Sequence, residues 1–244
     1  LFCLLFTFSQ TNSQTLLETI NLPSGTFYTS AYGMVYNNGK YWISSSSSST
    51  GKGIIYAVNS SGAQIDFVDF DLPWIRESQG LAFDGTDFWY VERKTARCDL
   101  YKVSNTGIVI DSIPTAELFG STSYYLGGAA WDGDGLWISV YSPDASAALY
   151  KINVAARAIV DTISVIGLQP QGITVKGDTL FYVMDGFQGD DEKIYAIDLN
   201  TENVLFSFHV PEPPGVRQNP RGLAWDGTFF WLIAEPVGAS SGKQ

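Results

Sequence analysis

The stretch from residue 221 to residue 233, RGLAWDGTFFWLI, contains the pattern that decides the fold. In it a glycine is followed by a short apolar run, then by a turn with a second glycine, and then by an aromatic residue nine positions after the first glycine. The same pattern recurs in YGMVYNNGKYWIS from Tyr32, QGLAFDGTDFWYV from Gln79, GGAAWDGDGLWIS from Gly127 and QGITVKGDTLFYV from Gln171. We call the first glycine of each repeat the leading glycine; these are Gly33, Gly80, Gly128, Gly172 and Gly222. They stand 44 to 50 residues apart, and a period of this length indicates a protein built from repeated units.

Each repeat is predicted to contain four antiparallel strands. The turn glycine accepts the positive φ that a tight reversal needs, so the runs on either side of it form a hairpin of strands a and b. A third and a fourth run follow as strands c and d, and their β-branched and aromatic residues favour strands over helices. The predicted fold is therefore an all-β propeller of four-stranded blades, with the aromatic residues of strand b packed between blades.

The two ends of the chain are predicted to share one blade. Residues 16–23, LLETINLP, resemble strand d but have no strands a, b or c before them, and the fifth repeat reaches Gln244 before a strand c. We expect the N-terminal strand to complete this last blade, since closure removes free sheet edges from a ring. Strand c of that blade is then missing, and the chain is part of a longer protein. Five blades are visible, the last one incomplete, and the full protein has five or six.

The first residues, LFCLLFTF, are apolar and are followed by the polar run SQTNSQ. The apolar stretch is too short to span a bilayer and is typical of the end of a signal peptide. Residues 1–14 are therefore predicted to be a signal peptide remnant and residues 15–244 the propeller domain, with a buried N-terminal strand as the alternative. The protein is expected to be secreted, periplasmic or extracellular, without a transmembrane segment.

Composition argues against several functions. A formal net charge of −11 and a pI near 4.4 argue against nucleic acid binding, because affinity for phosphates comes mainly from lysine and arginine. Cys98 stands alone once the N-terminal segment is removed, so neither a disulfide framework nor a zinc cluster is expected. The single histidine, His209, falls on a strand d, which argues against Ser-His-Asp catalysis. We expect a monomer that binds a small molecule, an ion or an extracellular protein.

A candidate binding site follows from the propeller geometry. Strand a lines the central channel, and its beginning shares one mouth with the end of strand b. The candidate residues are Tyr32, Gln79, Gln171 and Arg221 at the beginnings of strands a, with Glu92, Tyr141, Asp185 and Glu235 beyond strands b. Among them, Glu92, Asp185 and Glu235 are candidate ligands for Ca²⁺ or Mg²⁺, since both ions take oxygen ligands. An ordinary polar rim is the alternative, because strand alternation turns Glu92 to the opposite face from the other two. No catalytic residue is identified.

The segments QGLAFDG, GGAAWDG, PQGITVKG and PRGLAWDG resemble the repeats of secreted bacterial propellers of the NHL, YWTD and SMP-30-like superfamily. The resemblance covers residues 16–244 and implies the propeller fold, usually with six blades. It implies little about function, because such repeats occur in lactonases, lyases, receptor ectodomains and interaction modules. The SMP-30-like enzymes place a glutamate, an asparagine and aspartates around an ion in the channel, and this chain lacks the rim asparagine.

A weaker resemblance concerns SQGL from Ser78 and PQGI from Pro170, which are similar to the TQGL element of the propeller-type glutaminyl cyclotransferases. Those enzymes have five blades, and the glutamate-containing strand that follows is matched only loosely by YVERK from Tyr90. Three functions therefore stay open: a binding or scaffold module, a divalent-metal-dependent hydrolase or lactonase of the SMP-30 type, and a glutaminyl cyclotransferase-like enzyme. The sequence does not decide whether the protein is an enzyme.

Overall fold

The computed structural model describes residues 2–7, 14–24, 31–46, 52–70, 77–94, 97–121, 124–142, 145–186, 192–212 and 218–236. In this part of the chain it contains twenty β-strands and one short helix, α1 (Thr115–Phe119). In chain order the strands are β1 (Phe2–Thr7), β2 (Thr15–Asn21), β3 (Met34–Asn37), β4 (Lys40–Ser46), β5 (Gly53–Val58), β6 (Gln64–Phe70), β7 (Glu77–Phe83), β8 (Phe88–Lys94), β9 (Arg97–Val103), β10 (Val109–Pro114), β11 (Tyr125–Trp131), β12 (Leu136–Ser142), β13 (Ala145–Asn153), β14 (Ala158–Ser164), β15 (Pro170–Lys176), β16 (Thr179–Met184), β17 (Lys193–Asp198), β18 (Val204–His209), β19 (Gln218–Trp225) and β20 (Phe230–Pro236). No helix among the described residues is long and apolar enough to cross a membrane.

The strands of the described residues form five sheets of four strands each. Four sheets take their strands in chain order, as β3 to β6, β7 to β10, β11 to β14 and β15 to β18, and paired neighbours run antiparallel. The first strands β3, β7, β11, β15 and β19 contact one another in succession around a channel. The predicted all-β propeller of four-stranded blades is therefore confirmed.

The fifth sheet joins both ends of the chain, in the order β19, β20, β1, β2. The prediction that residues 16–23 supply the outer strand of the last blade is confirmed by β2. The prediction that strand c of this blade is missing is wrong, because Phe2–Thr7 pairs with β20 on one side and with β2 on the other. An apolar run next to an open strand edge gains a full ladder of backbone hydrogen bonds by pairing there.

The N-terminal boundary of the propeller therefore changes. In the structure the propeller includes Phe2–Thr7, which lies before the expected domain start at residue 15. The assignment of residues 1–14 as a signal peptide remnant stays a prediction. Removal of this segment would take β1 out of the sheet and leave the backbone edge of β20 without its partner.

The five leading glycines form a closed ring of backbone contacts between blades, which we call the glycine ring. A Cβ atom added to Gly33 would lie 2.3 Å from the carbonyl carbon of Gly80, and one added to Gly222 would lie 2.3 Å from the backbone oxygen of Tyr32. Real Cβ atoms essentially never approach another atom closer than 3.0 Å. Because the last blade meets the first in this way, the described chain closes a ring of five blades.

The aromatic residue of each strand b is buried between two blades, as predicted. Trp89 of the second blade packs with Leu126 and Ile138 of the third, and Phe181 of the fourth packs with Phe230 of the fifth at 4.7 Å between ring centroids. Large rings fill the wedge between sheets that diverge from the channel. The equivalent residues Trp42, Trp137 and Trp231 are also buried.

The recurring aspartate of the turn explains why the repeat contains WDG or FDG before the aromatic residue. Asp132 accepts hydrogen bonds from the turn N–H groups of Asp134 and Gly135, and its second oxygen accepts one from the indole of Trp137 at 2.7 Å. Asp84 and Asp226 make the same three kinds of contact in their own repeats. One carboxylate therefore fixes the turn and orients the ring that fills the gap between blades.

In the third blade an ion pair also holds the turn aspartate in place. Lys151 of β13 forms an ion pair with Asp132 at 2.8 Å. Burial raises the pKa of Asp132, but the hydrogen bonds from Lys151, the turn backbone and Trp137 outweigh it and hold the pKa at about 2. The folded state thus favours the ionised carboxylate.

We expect Asp132→Asn to lower the free energy of unfolding at neutral pH by about 1–2 kcal/mol. The folded-state pKa lies below the ordinary value of 3.8. The stabilisation is therefore present above about pH 4 and is lost as the pH falls through about 2, so the difference between wild type and variant should shrink over this range. Urea unfolding at several pH values measures both effects. Asp134→Asn, at a largely exposed side chain, is the matched control and should change stability by less than about 0.5 kcal/mol.

We expect Gly172→Ala to destabilise the protein by about 3 kcal/mol or more. The new Cβ would lie 2.2 Å from the backbone oxygen of Arg221 and 2.5 Å from the backbone nitrogen of Leu223, and neither atom moves without a shift of β19. Gly135→Ala is the control, because its Cβ would meet the flexible end of Lys151. Equal losses of unfolding free energy in the two variants would contradict a rigid glycine ring.

Candidate binding site at the polar channel mouth

The beginnings of strands a and the ends of strands b lie side by side at one end of the channel. Tyr125 pairs with Tyr141, and Asn219 pairs with Glu235. The expectation that no asparagine stands at this rim is therefore wrong, because Asn219 lies in β19 beside Glu235. In β7 the register shifts between Ser78 and Gly80, which places Gln79 in a bulge beside Glu92. Bulges of this kind turn a side chain away from the regular alternation of the strand. We call this end of the channel the polar mouth.

Arg221 forms the centre of an ion-pair cluster at the polar mouth. Its Nη1 atom lies 2.7 Å from Oδ2 of Asp185, and its Nη2 atom lies 3.3 Å from Oε2 of Glu235. The guanidinium carbon lies 5.2 Å from the centroid of the Tyr32 ring. These four residues are the Arg221 cluster. The structure therefore brings together four of the eight sequence-predicted site residues.

The Arg221 cluster links three blades and is partly buried. Asp185 follows β16 in the fourth blade, Arg221 and Glu235 belong to the fifth, and Tyr32 precedes β3 in the first. Burial lowers the pKa of Arg221, but the neighbouring Asp185 and Glu235 carboxylates, with Tyr32 and Tyr141, outweigh this and raise it. The guanidinium is thus held charged, and the ion pairs are screened less than surface pairs.

Glu92 lies in a second polar group, in the second blade. The Tyr101 hydroxyl lies 3.1 Å from Oε2 of Glu92 and 3.2 Å from Oδ2 of Asp99, and both carboxylates are almost fully buried. The Tyr101 hydroxyl therefore links the two carboxylates. Burial, together with the nearby Glu92 and Tyr101, raises the pKa of Tyr90.

Asp99 is a buried acid beside Glu92 that is not among the candidates predicted from the sequence. The strand CDLYKV carries an aspartate in an otherwise largely apolar run, and Asp99 and Tyr101 are two positions apart on the same face of β9. Asp99 also pairs directly across the ladder with Glu92. A buried acid on a central strand was therefore the available signal.

The remaining candidate residues are packed into the mouth. Gln79 and Gln171 are each 4% exposed, and Tyr141 stacks on Tyr125 with 5.6 Å between ring centroids. The backbone oxygen of Gln171 accepts a hydrogen bond from the Ser139 hydroxyl at 2.7 Å. Among the described residues, the Nε2 atom of Gln79 donates to no partner. A buried amide donor of this kind is stabilised by any acceptor placed beside it.

The three candidate metal ligands do not form one group in the described part of the chain. Arg221 binds Asp185 and Glu235, whereas Glu92 contacts Tyr101. No set of three or more histidine, cysteine, aspartate or glutamate side chains among the described residues is arranged to hold a metal ion. The expected Ca²⁺ or Mg²⁺ at this mouth stays a prediction.

The channel also contains a cavity of about 180 Å³, but it lies at the other end. Its walls are residues that follow the leading glycines, such as Met34, Leu81 and Ile173. The polar mouth lies before those glycines. The two ends of the channel therefore differ, because the ion pairs of Arg221 lie at the polar mouth and the cavity lies at the other end.

No family model and no curated protein sequence matches this chain. Solved structures of similar fold include glutaminyl cyclase from Myxococcus xanthus, with 13% identity and a TM-score of 0.57 over 88% of this chain and 94% of that one. Hydrazine synthase from Kuenenia stuttgartiensis gives 14% identity and a TM-score of 0.55 over 91% of this chain, which spans 60% of that chain. TolB from Acinetobacter baumannii gives 14% identity and a TM-score of 0.53 over 96% of this chain and 63% of that one. At these identities the likeness shows the propeller fold alone.

We expect Arg221→Met to lower the free energy of unfolding by about 3–5 kcal/mol, because it leaves two partly buried carboxylates without their cation. Arg157→Met is the matched control. Arg157 also contacts two carboxylates, Asp111 and Glu117, but all three side chains are 38–40% exposed, so its loss should cost less than about 1 kcal/mol. Chemical unfolding of both variants measures the difference, and similar losses would show that the Arg221 cluster is no more than a surface ion pair.

Proposed function

We propose that this chain is a secreted binding propeller whose polar mouth receives an amine-bearing ligand, such as the amino terminus of a peptide. The observation that supports this most is the gathering of acids at the mouth. Glu92 and Asp99 both contact the Tyr101 hydroxyl, and Asp185 and Glu235 contact Arg221. A narrow mouth lined by carboxylates, in a chain with a formal net charge of −11, favours cationic ligands. Secretion is part of the proposal and rests on the apolar first residues followed by a polar run. Because Phe2–Thr7 also forms β1 of the last blade, the segment is expected to remain on the folded chain.

Binding without catalysis is favoured by the state of the carboxylates. Asp185 and Glu235 already accept hydrogen bonds from Arg221. Because both carboxylates are engaged by the guanidinium, neither is set up as a general base. The Arg221 cluster instead makes a rigid, polar wall for the ligand.

A glutaminyl cyclotransferase-like enzyme is the second candidate, and one observation favours it. Glu92 is buried and lies beside Gln79 of the SQGL element that resembles this family. In such a reaction the free amine of an N-terminal glutamine attacks its own side-chain carboxamide carbon, a lactam C–N bond forms, and ammonia leaves. Glu92 would accept the proton from the amine and return it to the leaving ammonia. This candidate uses the same amine-binding mouth.

One experiment separates the two candidates. A short peptide amide that begins with glutamine and its N-acetylated form are titrated into the full chain by calorimetry, with and without Ca²⁺, and each mixture is then examined for ammonia release by mass spectrometry. We expect the free-amine peptide to bind at least about tenfold more tightly than the acetylated one and to stay unchanged, since a hydrogen bond to a charged group contributes about 1.5–3 kcal/mol. Ammonia release would show that the protein is an enzyme and would contradict a binding module without catalysis.

The matched variants are Glu92→Gln at the mouth and Glu117→Gln on the exposed helix α1. Glu92→Gln should weaken binding of the free-amine peptide about tenfold, and Glu117→Gln should leave it unchanged. Equal binding of the two peptides, or equal effects of the two variants, would overturn an amine site at this mouth. Binding that requires Ca²⁺ would favour the metal-dependent reading of the same carboxylates.

A further inference from the structure

The outer strands of the five blades share one irregularity. Each pairs with its inner neighbour through a bulge, and the extra residue in the bulge is an aliphatic residue that is 47–57% exposed. A bulge twists a strand edge and so hinders its pairing with another chain. Because all five outer strands have it, the bulge does not distinguish one edge from another. The five residues are Leu17 in β2, Ile65 in β6, Ile110 in β10, Val160 in β14 and Leu205 in β18.

The residue directly after the bulge does distinguish the edges. In four outer strands it is an acid, namely Glu18, Asp66, Asp111 or Asp161. The three aspartates each accept a hydrogen bond from the next backbone N–H, that of Phe67, Ser112 or Thr162, at 2.7–2.9 Å. A charge on an edge strand repels a second strand, and an N–H that is already bonded does not donate to one. These acids therefore protect their edges against pairing.

The outer strand of the fourth blade, β18, lacks this protection. Its sequence, VLFSFH, contains no acid, lysine, arginine, proline or glycine, and Phe206 stands at the position of the acid. A phenyl ring has no oxygen that could accept from the N–H of Ser207. Val204 is 41% and Leu205 is 50% exposed. In the described part of the chain β18 is the last strand of its sheet, so it presents an apolar strand edge of the kind that pairs with other strands.

We propose that the outer edge of β18 is a dimer interface, at which β18 pairs antiparallel with β18 of a second copy of this chain. The inference does not rest on the function proposed for the polar mouth, because β18 is the strand of its blade furthest from the channel. It replaces the monomer expected from the sequence with a dimer.

Charge and symmetry both select a second copy as the occupant. Each chain carries a formal net charge of −11, so two copies repel each other least where an outer strand has no acid. A two-fold axis at Ser207 places Phe206 of each copy opposite Phe208 of the other. The Phe206 and Phe208 rings of one chain lie 6.5 Å apart between centroids, so two cross-strand aromatic pairs form side by side. Such pairs stabilise antiparallel strands.

The length of the edge limits the strength of the dimer. The ladder from β17 to β18 is regular from Phe206 to His209, beyond the bulge at Leu205. Pairing of one short strand buries less area than a standard interface of about 1,600 Å², so we expect a weak dimer that depends on protein concentration.

The test is sedimentation equilibrium of the full chain between about 5 and 500 µM, the range of weak complexes. We expect the mean mass to rise from that of one chain to that of two, without larger species, because the pairing uses the β18 edge of both copies. Hydrogen exchange of peptides that contain Ser207 should be slower at the high concentration, since pairing occupies backbone N–H groups. The mass of one chain throughout, or a dimer with unchanged exchange in β18, would overturn the proposal.

Variants locate the interface. Ser207→Asp places two like charges opposite each other on the two-fold axis, and we expect it to weaken dimerisation at least about tenfold. Thr162→Asp is the matched control, because Thr162 is an exposed hydroxyl residue at the equivalent position of β14, and it should leave dimerisation unchanged.

Phe206→Asp gives β18 the acid that the other four outer strands carry and should also weaken dimerisation at least about tenfold. Circular dichroism confirms that each variant is folded. Equal effects of Ser207→Asp and Thr162→Asp, or unchanged dimerisation in the Phe206→Asp variant, would contradict β18 as the interface.

Discussion

The close approach of five backbones at the glycine ring is the constraint on which the rest of the structure depends. Neighbouring strands a touch where a side chain would stand, so the blades meet at the channel and diverge outwards. The diverging gap needs a large ring, and a ring in that gap needs a fixed orientation. The turn aspartate supplies it through the indole N–H in three blades. Glycine, aspartate and tryptophan thus recur together. The close backbones at the glycine open a gap further out, the tryptophan fills the gap, and the aspartate orients the tryptophan.

The same constraint divides the channel into two chemically different ends. Before the glycine ring, the bulges in strands a bring the side chains of Gln79 and Arg221 next to acids from strands b. Beyond it, the strands return to regular alternation, and residues such as Met34, Leu81 and Ile173 line the cavity. Burial of ion pairs is costly unless the geometry is good. The Arg221 cluster carries this desolvation cost at the polar mouth, which is where we expect a ligand to bind.

The sequence predicts the parts of the fold that the repeat enforces. The blades, the rings between them and the outer strand of the last blade follow from local patterns that occur several times. The sequence predicts a signal peptide remnant where the structure has β1, because a short apolar run before polar residues has the same composition in a signal peptide and in a buried strand. The Arg221 cluster follows from radial symmetry, which brings distant repeats to one mouth. The position of Asp99 beside Glu92 escapes such reasoning, since it depends on burial and on the register between β8 and β9.

The pairing of Phe2 with Ala234 also has a consequence for folding. This contact spans nearly the whole chain, so its entropic cost of loop closure is met only after the intervening blades have formed. During synthesis β1 emerges long before β20. It can pair early with β2, but its edge towards β20 has no lasting partner until the last blade forms. Closure of the last blade is therefore expected to be the slow step of folding, and the first and last segments are the region where a nascent chain is most exposed to mispairing with other molecules.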